Sequence, residues 1–256
     1  MRPEYSNKSQ LTDPPIILLH GWGMNANIWQ PTIQSLPIEL QNRLVTLNLP
    51  GYHQEATLEQ YKLEDLANWL NKYVTQPSII IGWSLGGLIA QKFALQYPNK
   101  VIKLGLIGST PKFMAADNWP GIKPDVLKLF ATQLTKNHRL TIERFLAIQA
   151  MGSDTAKQDI KQLKELVLST DEPDLHALSE GLKLLESEDL RLAWSNLHCP
   201  VSCLFGRLDS LVPNAAINQI AALCKYSEIE VIDKASHAPF VSHPQAFLKW
   251  FIKTVN

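Results

Sequence analysis

Gly82-Trp83-Ser84-Leu85-Gly86 sets a single hydroxyl between two residues that lack side chains. The pentapeptide follows a short apolar run at 78–81 and leads into a helical pattern from Leu85. Ser84 is therefore expected on a sharp strand-to-helix turn, where the backbone is strained and tolerates only small flanking residues. The helix N-terminus there also favours developing negative charge. A glycine-rich turn with an exposed serine is the plain structural alternative, and the strand and helix flanks favour the nucleophile. A serine hydroxyl attacks a carbonyl only with a base beside it. Of the 7 histidines, His237 lies just past the last strand-like run, where a loop can place an imidazole over the serine. His20 closes a strand and more plausibly holds a loop, and His243 in His-Pro suits a helix start. His53, His138, His176 and His198 fall on loops or helix surfaces. The group that orients the imidazole and stabilises its cation is expected to be Asp209, which follows the run 201–205; Asp233, only four residues before His237, is the rival. Two main-chain donors would complete acyl-transfer chemistry: the N–H of Leu85, and that of Trp22 in His20-Gly21-Trp22-Gly23.

These residues need a frame that brings positions 22, 84, 209 and 237 together. Apolar runs at 16–19, 44–47, 78–81, 101–107, 201–205 and 229–232 are rich in β-branched residues and bounded by Gly, Pro, Asn or His. Their near-continuous apolar character suits strands covered on both faces. Helical patterns alternate with them, such as Leu63, Leu66, Leu70 and Val74, and the segment from Leu85 to Tyr97 that Pro98 stops. The alternation predicts a doubly wound α/β fold with a mostly parallel central sheet flanked by helices. From about 111 to 196 no strand is evident. Three stripes appear there instead: Ile142, Phe145, Leu146 and Gln149; Ala156, Ile160, Leu163 and Val167; Leu175, Leu178, Leu182 and Leu185. One domain over residues 1–256, with a helical lid inserted at about 111–196, is the expected organisation.

Bulk composition narrows the partners. Lys plus Arg equals Asp plus Glu at 24 each, so nothing pulls the chain generally towards nucleic acid or anionic membrane. The N-terminus lacks the apolar core of a secretory signal, and no apolar run is long enough to span a bilayer. The 3 cysteines, Cys199, Cys203 and Cys224, do not make a disulfide framework, and a reducing, cytoplasmic setting is expected. His198, Cys199 and Cys203 lack a second ligand pair, so buried structural thiols are the better reading than a metal site. One stretch departs from neutrality. From Lys136 to Glu165 there are six basic residues (136, 139, 144, 157, 161, 164) against four acids (143, 154, 159, 165). Lys157, Lys161 and Lys164 share one helix face there.

With these residues in place, the sequence resembles a family within the α/β-hydrolase superfamily: the carboxylesterases of biotin synthesis that demethylate pimeloyl-acyl-carrier-protein methyl ester. The resemblance runs from about residue 16 to the C-terminus. It rests on Leu-Leu-His-Gly-Trp-Gly at 18–23, Gly-Trp-Ser-Leu-Gly-Gly-Leu at 82–88 and Trp-Pro-Gly-Ile-Lys-Pro-Asp-Val-Leu at 119–127. Further matches are Ile-Glu-Arg-Phe-Leu-Ala at 142–147, Gln149, Met151 and Gly152, Ala-Pro-Phe at 238–240 and Ser-His-Pro at 242–244. The lid matches are the more specific, because lids of this fold normally diverge. The order Ser84, Asp209, His237 is also that of the fold. The resemblance implies triad roles for these three, oxyanion and substrate contacts for Trp22 and Leu85, and an acyl pocket lined by Phe145, Leu146, Ala147, Ile148 and Gln149. It implies an acyl-carrier protein as partner, docked by basic lid residues at Arg144, Lys157 and Lys161; Arg139 joins them from the same basic stretch, and a monomer that needs no cofactor and no metal is expected. Where the fold often has Asp-x-Pro-Gly-x-Gly after the second strand, this chain has Asn48-Leu-Pro-Gly-Tyr-His53. Competing readings are a general short-chain esterase or lactonase of the same fold, separable by a panel of nitrophenyl esters, and a non-catalytic receptor, separable by fluorophosphonate labelling.

Overall fold

A computed structural model describes residues 13–150, 154–167, 171–223 and 227–256. Six strands form one sheet in the order β2-β1-β3-β4-β5-β6, with every neighbouring pair parallel. They are β1 (Ile16–Leu19), β2 (Leu44–Leu47), β3 (Ser78–Trp83), β4 (Val101–Ile107), β5 (Val201–Gly206) and β6 (Ser227–Ile232). Three of the four inner strands, β1, β3 and β5, are buried at every position, as their apolar runs require. The edge strand β6 alternates Glu228 and Glu230 with apolar residues, and Lys253 pairs with both glutamates at 3.2 and 3.0 Å. Cys224 lies outside the described residues.

Eleven α-helices are described: α1 (Gln30–Gln34), α2 (Ile38–Gln41), α3 (Leu63–Asn71), α4 (Leu85–Gln96), α5 (Pro124–Leu134), α6 (His138–Gln149), α7 (Ala156–Val167), α8 (Leu175–Ser187), α9 (Asn214–Leu223), α10 (Pro239–Ser242) and α11 (Pro244–Val255). The stripe of α3 is buried through Leu63, Leu66 and Leu70, while Val74 packs inward from just beyond the helix end. Helix α4 is apolar nearly all round and buries nine of its twelve residues, because it lies behind the sheet as a core helix. Pro98 ends that segment and starts a short 3-10 turn.

Helices α5 to α8 all lie between β4 and β5 in the chain, and the only β-structure among the described residues there is two isolated bridges, Met114–Ile122 and Ala116–Trp119. Their apolar stripes face inward, with differences at the ends. Ile142, Phe145, Leu146 and Gln149 are buried in α6. In α7 Leu163 and Val167 are buried with Asp159, whereas Ala156 and Ile160 are only half-covered. In α8 the first residue, Leu175, stays exposed while Leu178, Leu182 and Leu185 are buried. No helix among the described residues is long and apolar enough to cross a membrane.

The strand order reverses direction between β1 and β3, so the loops leaving these neighbouring strands diverge and open a crevice at their C-terminal ends. Trp22 leaves β1 and Ser84 leaves β3, and the loops after β5 and β6 reach the same end of the sheet.

Candidate active site

Ser84 sits at φ 55°, ψ −120°, a region costly to a residue with a side chain, and caps α4. Its N–H donates to Ile107 at 3.0 Å, tying the turn to β4. The two flanking glycines are fixed by space: a Cβ on Gly82 would collide with the main chain of Gly86, and one on Gly86 with the carbonyls of Leu19 and His20. That second close approach seats α4 against the end of β1 and carries the 20–22 loop alongside the serine. Leu85, as the first residue of α4, has no preceding turn to accept its N–H. The Trp22 N–H likewise meets no main-chain acceptor among the described residues.

His237 and Asp209 are brought together. The imidazole Nδ1 donates to Asp209 Oδ2 at 2.8 Å. The other carboxylate oxygen accepts the N–H groups of Leu211 at 2.8 Å and Val212 at 3.0 Å. A carboxylate only 4 % exposed is thereby fully satisfied. Gly206, at the end of β5, makes this possible: a Cβ there would overlap the carbonyls of Ala235 and Ser236, so only glycine lets the acid loop lie against the histidine loop. With the Nδ1 proton committed to Asp209, Nε2 is left as the proton acceptor. Nε2 is buried and has no hydrogen-bond partner in the protein, so the bond to Ser84 Oγ is not made in this state. Such bonds are often long without substrate.

Asp233 is excluded from this cluster, because it is 75 % exposed and pairs with Arg207. His20 is structural, as expected. Its Nδ1 donates to the Gly21 carbonyl at 2.8 Å, and its Nε2 accepts the Leu49 N–H at 3.0 Å. Complete burial pushes its pKa down to about 4. His243 caps α11, and His138 pairs with Glu172. His53 has φ 52°, left-handed, in the place where the fold often has a second glycine, so the histidine adopts the turn that glycine would. Asn48 uses its side-chain oxygen to accept the Ala26 N–H at 2.8 Å.

The lid closes over the site. The Trp22 indole donates to Leu178 O of α8 at 2.7 Å and meets Phe145 of α6 edge-on at 4.8 Å. The His237 N–H donates to Gln149 O, the last carbonyl of α6, at 3.0 Å. Ser84 is 2 % exposed and His237 1 %. A cavity of about 20 Å³, room for about one water, lies under the lid beside Asn25, His53, Arg139 and Ile142 and includes none of the three. Of the expected acyl-pocket residues, Phe145, Leu146 and Gln149 are buried. Ala147 is exposed and Ile148 half-buried. Five successive helical residues turn through more than a full revolution, so the five cannot share one face.

Among the basic lid residues, Arg144, Lys157 and Lys161 are exposed. Arg139 faces Glu143 and Glu172 at 3.8 and 3.5 Å, Lys161 lies 3.8 Å from Glu165, and Lys164 bonds Glu143 at 2.7 Å. Among the described residues no group of three or more His, Cys, Asp or Glu could hold a metal, and Cys199 and Cys203 are buried.

Sequence reasoning missed a support behind the nucleophile. Ser109 Oγ donates to the Ser84 carbonyl at 2.9 Å. Gln91 Nε2 donates to Ser109 at 3.2 Å, and Gln91 Oε1 accepts the Trp194 indole N–H at 2.7 Å. The available signal was Gln91 itself, a polar residue on an otherwise apolar face of α4.

The likenesses of the chain agree with this geometry. Residues 14–244 match the family model of the alpha/beta hydrolase fold. An esterase structure from Exiguobacterium antarcticum superimposes with a TM-score of 0.83 at 21% identity, over 94% of this chain and 91% of that one. The chain is an α/β hydrolase. A pimeloyl-[acyl-carrier protein] methyl ester esterase of Vibrio vulnificus (strain CMCP6) is 42% identical over 240 residues, covering 94% of this chain and 93% of that protein. One of Vibrio cholerae is 43% identical over 238 residues, covering 93% and 92%. The chain therefore belongs to the family of pimeloyl-[acyl-carrier protein] methyl ester esterases.

Proposed function

We propose that the chain hydrolyses the methyl ester of a pimeloyl group borne on acyl-carrier protein, with Ser84 as nucleophile, His237 as base and Asp209 as its orienting acid. That it is a carboxylic ester hydrolase follows from its family. The observation that supports the residue assignment is the buried Asp209–His237 hydrogen bond at 2.8 Å, which commits Nδ1 to the acid while Nε2 has no partner in the protein.

In the reaction, Nε2 takes the Ser84 proton as Oγ attacks the ester carbonyl. The tetrahedral oxyanion is held by the N–H groups of Trp22 and Leu85. His237 then protonates the leaving methoxide, and methanol departs. Water, deprotonated by the same imidazole, cleaves the acyl-serine and frees a carboxylate at the chain end. The reaction as written uses no metal or organic cofactor. Phe145, Leu146, Gln149 and the Trp22 ring line the acyl chain. Because Ser84 is almost fully covered, the ester reaches it only when the lid moves. Arg144, Lys157 and Lys161, with Arg139 partly offset by its two glutamates, face the acidic carrier. A monomer acting in the cytoplasm suits this role.

The test is genetic. A bacterial strain lacking its pimeloyl-acyl-carrier-protein methyl ester esterase needs biotin, and this chain is expected to restore growth without it while Ser84→Ala is not. Failure of the soluble, expressed wild-type chain to restore growth would reject the reading.

A further inference from the structure

We infer that Trp83 is a positioning residue for the base: its indole N–H holds the main-chain carbonyl of His237 and fixes the imidazole relative to the nucleophile. This rests on the Ser84–His237 reading above.

Trp83 is the last residue of β3, adjacent in sequence to Ser84, and it is wholly buried. Its Nε1 donates to the His237 carbonyl at 2.9 Å. The indole lies 5.7 Å from the imidazole and edge-on to Phe240, at 4.9 Å, in the helix that begins just after His237. The other side of the same histidine is held by the lid, through its N–H on Gln149 O at 3.0 Å.

The topology explains why such a bond matters. Ser84 leaves β3 and His237 follows β6, with β4 and β5 between them in the sheet. Without a direct tie, their spacing would depend on three successive strand pairings and on a loop outside the strand ladders. The Trp83 bond joins the base to the nucleophile's own strand in one step. A phenylalanine at 83 would keep most of the packing but lose the donor and leave a buried carbonyl unpaired. Catalysis is sensitive to such a loss, since misplacement of about 1 Å can cost about a hundredfold. Trp83 acts through His237 and needs no contact with the substrate.

The experiment compares Trp83→Phe with wild type on a small nitrophenyl ester, with active sites counted by fluorophosphonate. The expected result is a fall in kcat of at least about tenfold with KM within about twofold, and a parallel fall in the fluorophosphonate labelling rate. Phe240→Leu loosens the same aromatic cluster without touching the hydrogen bond. It is expected to lower Tm while kcat per labelled site stays within about twofold. If Trp83→Phe does not fold, replacement of Trp83 by β-(3-benzothienyl)alanine removes only the N–H and is expected to show the same kcat loss. Wild-type kcat in either folded Trp83 variant would overturn the proposal, as would an equal kcat loss in Phe240→Leu. Activity surviving in Ser84→Ala or His237→Ala would instead overturn the underlying reading.

Discussion

Two aspartates compete in the sequence as partner of His237, and their surroundings separate them. Asp209 is buried and accepts three hydrogen bonds, one of them from the imidazole, whereas Asp233 lies in solvent beside Arg207. Asp209→Asn presents the imidazole with a donor as well as an acceptor and disturbs the tautomer. A loss on the order of 10⁴ in kcat is expected, against less than about threefold for Asp233→Asn, whose carboxylate is solvated. Steady-state kinetics of the two variants decide it, and the reverse ranking would move the acid to Asp233. His20 carries a pH dependence of stability. Its folded pKa of about 4 lies below the ordinary 6.5 because burial disfavours the cation. Between those values the unfolded chain binds the extra proton. The stabilisation is therefore complete above about pH 6.5 and lost as pH falls towards about 4, on the order of 3 kcal/mol in all. Urea unfolding of His20→Gln at several pH values is expected to fall less steeply across that window than wild type. Parallel curves would remove His20 from the acid response. The strained turn at Ser84 and the pairing of Asp209 with His237 were legible because each of these residues follows an apolar run in the sequence. The hydrogen bonds of Trp83 and Ser109 were not, since their partners lie 154 and 25 positions away.

At the scale of elements, the site is assembled where the loop after β5 meets the loop after β6. Gly206 is the point of closest approach. Gly206→Ala is expected to cost about 1–3 kcal/mol by overpacking and to lower kcat by separating Asp209 from His237. Unchanged urea midpoint and kcat would contradict this account of the loop contact. The inner strands were readable because burial on both faces demands continuous apolar runs, whereas the run at 229–232 did not mark β6 as an edge strand. The lid stripes were readable in register but not in depth. Ala156 and Ile160 keep the right spacing, yet the surface above them is only partly covered. His53 in a left-handed turn was hidden, because Asn48-Leu-Pro-Gly-Tyr-His53 ends in a residue that does not announce a positive φ. What fixes that turn is the surrounding fold.

At the scale of the molecule, the chain carries no net charge, so attraction for an acidic carrier must come from one face. Arg144 and Lys157 form no ion pair among the described residues, and Lys161 has only a distant glutamate at 3.8 Å. Arg139 and Lys164 are paired with acids. In a Lys157→Glu/Lys161→Glu variant, kcat/KM for the carrier-bound methyl ester is expected to fall at least about tenfold, and the defect to shrink as salt screens the charges. Turnover of a small nitrophenyl ester should stay within about twofold. Equal losses on both substrates would mean a distorted lid, and no loss on either would return these lysines to an ordinary solvated surface. The most direct test of the central claim is mass spectrometry of pimeloyl-acyl-carrier-protein methyl ester after incubation with the purified chain. The account predicts a carrier species lighter by one CH₂ unit, with its thioester intact, formed by wild type and absent with Ser84→Ala. Release of the acyl chain from the carrier, or an unchanged methyl ester with enzyme that fluorophosphonate still labels, would contradict it.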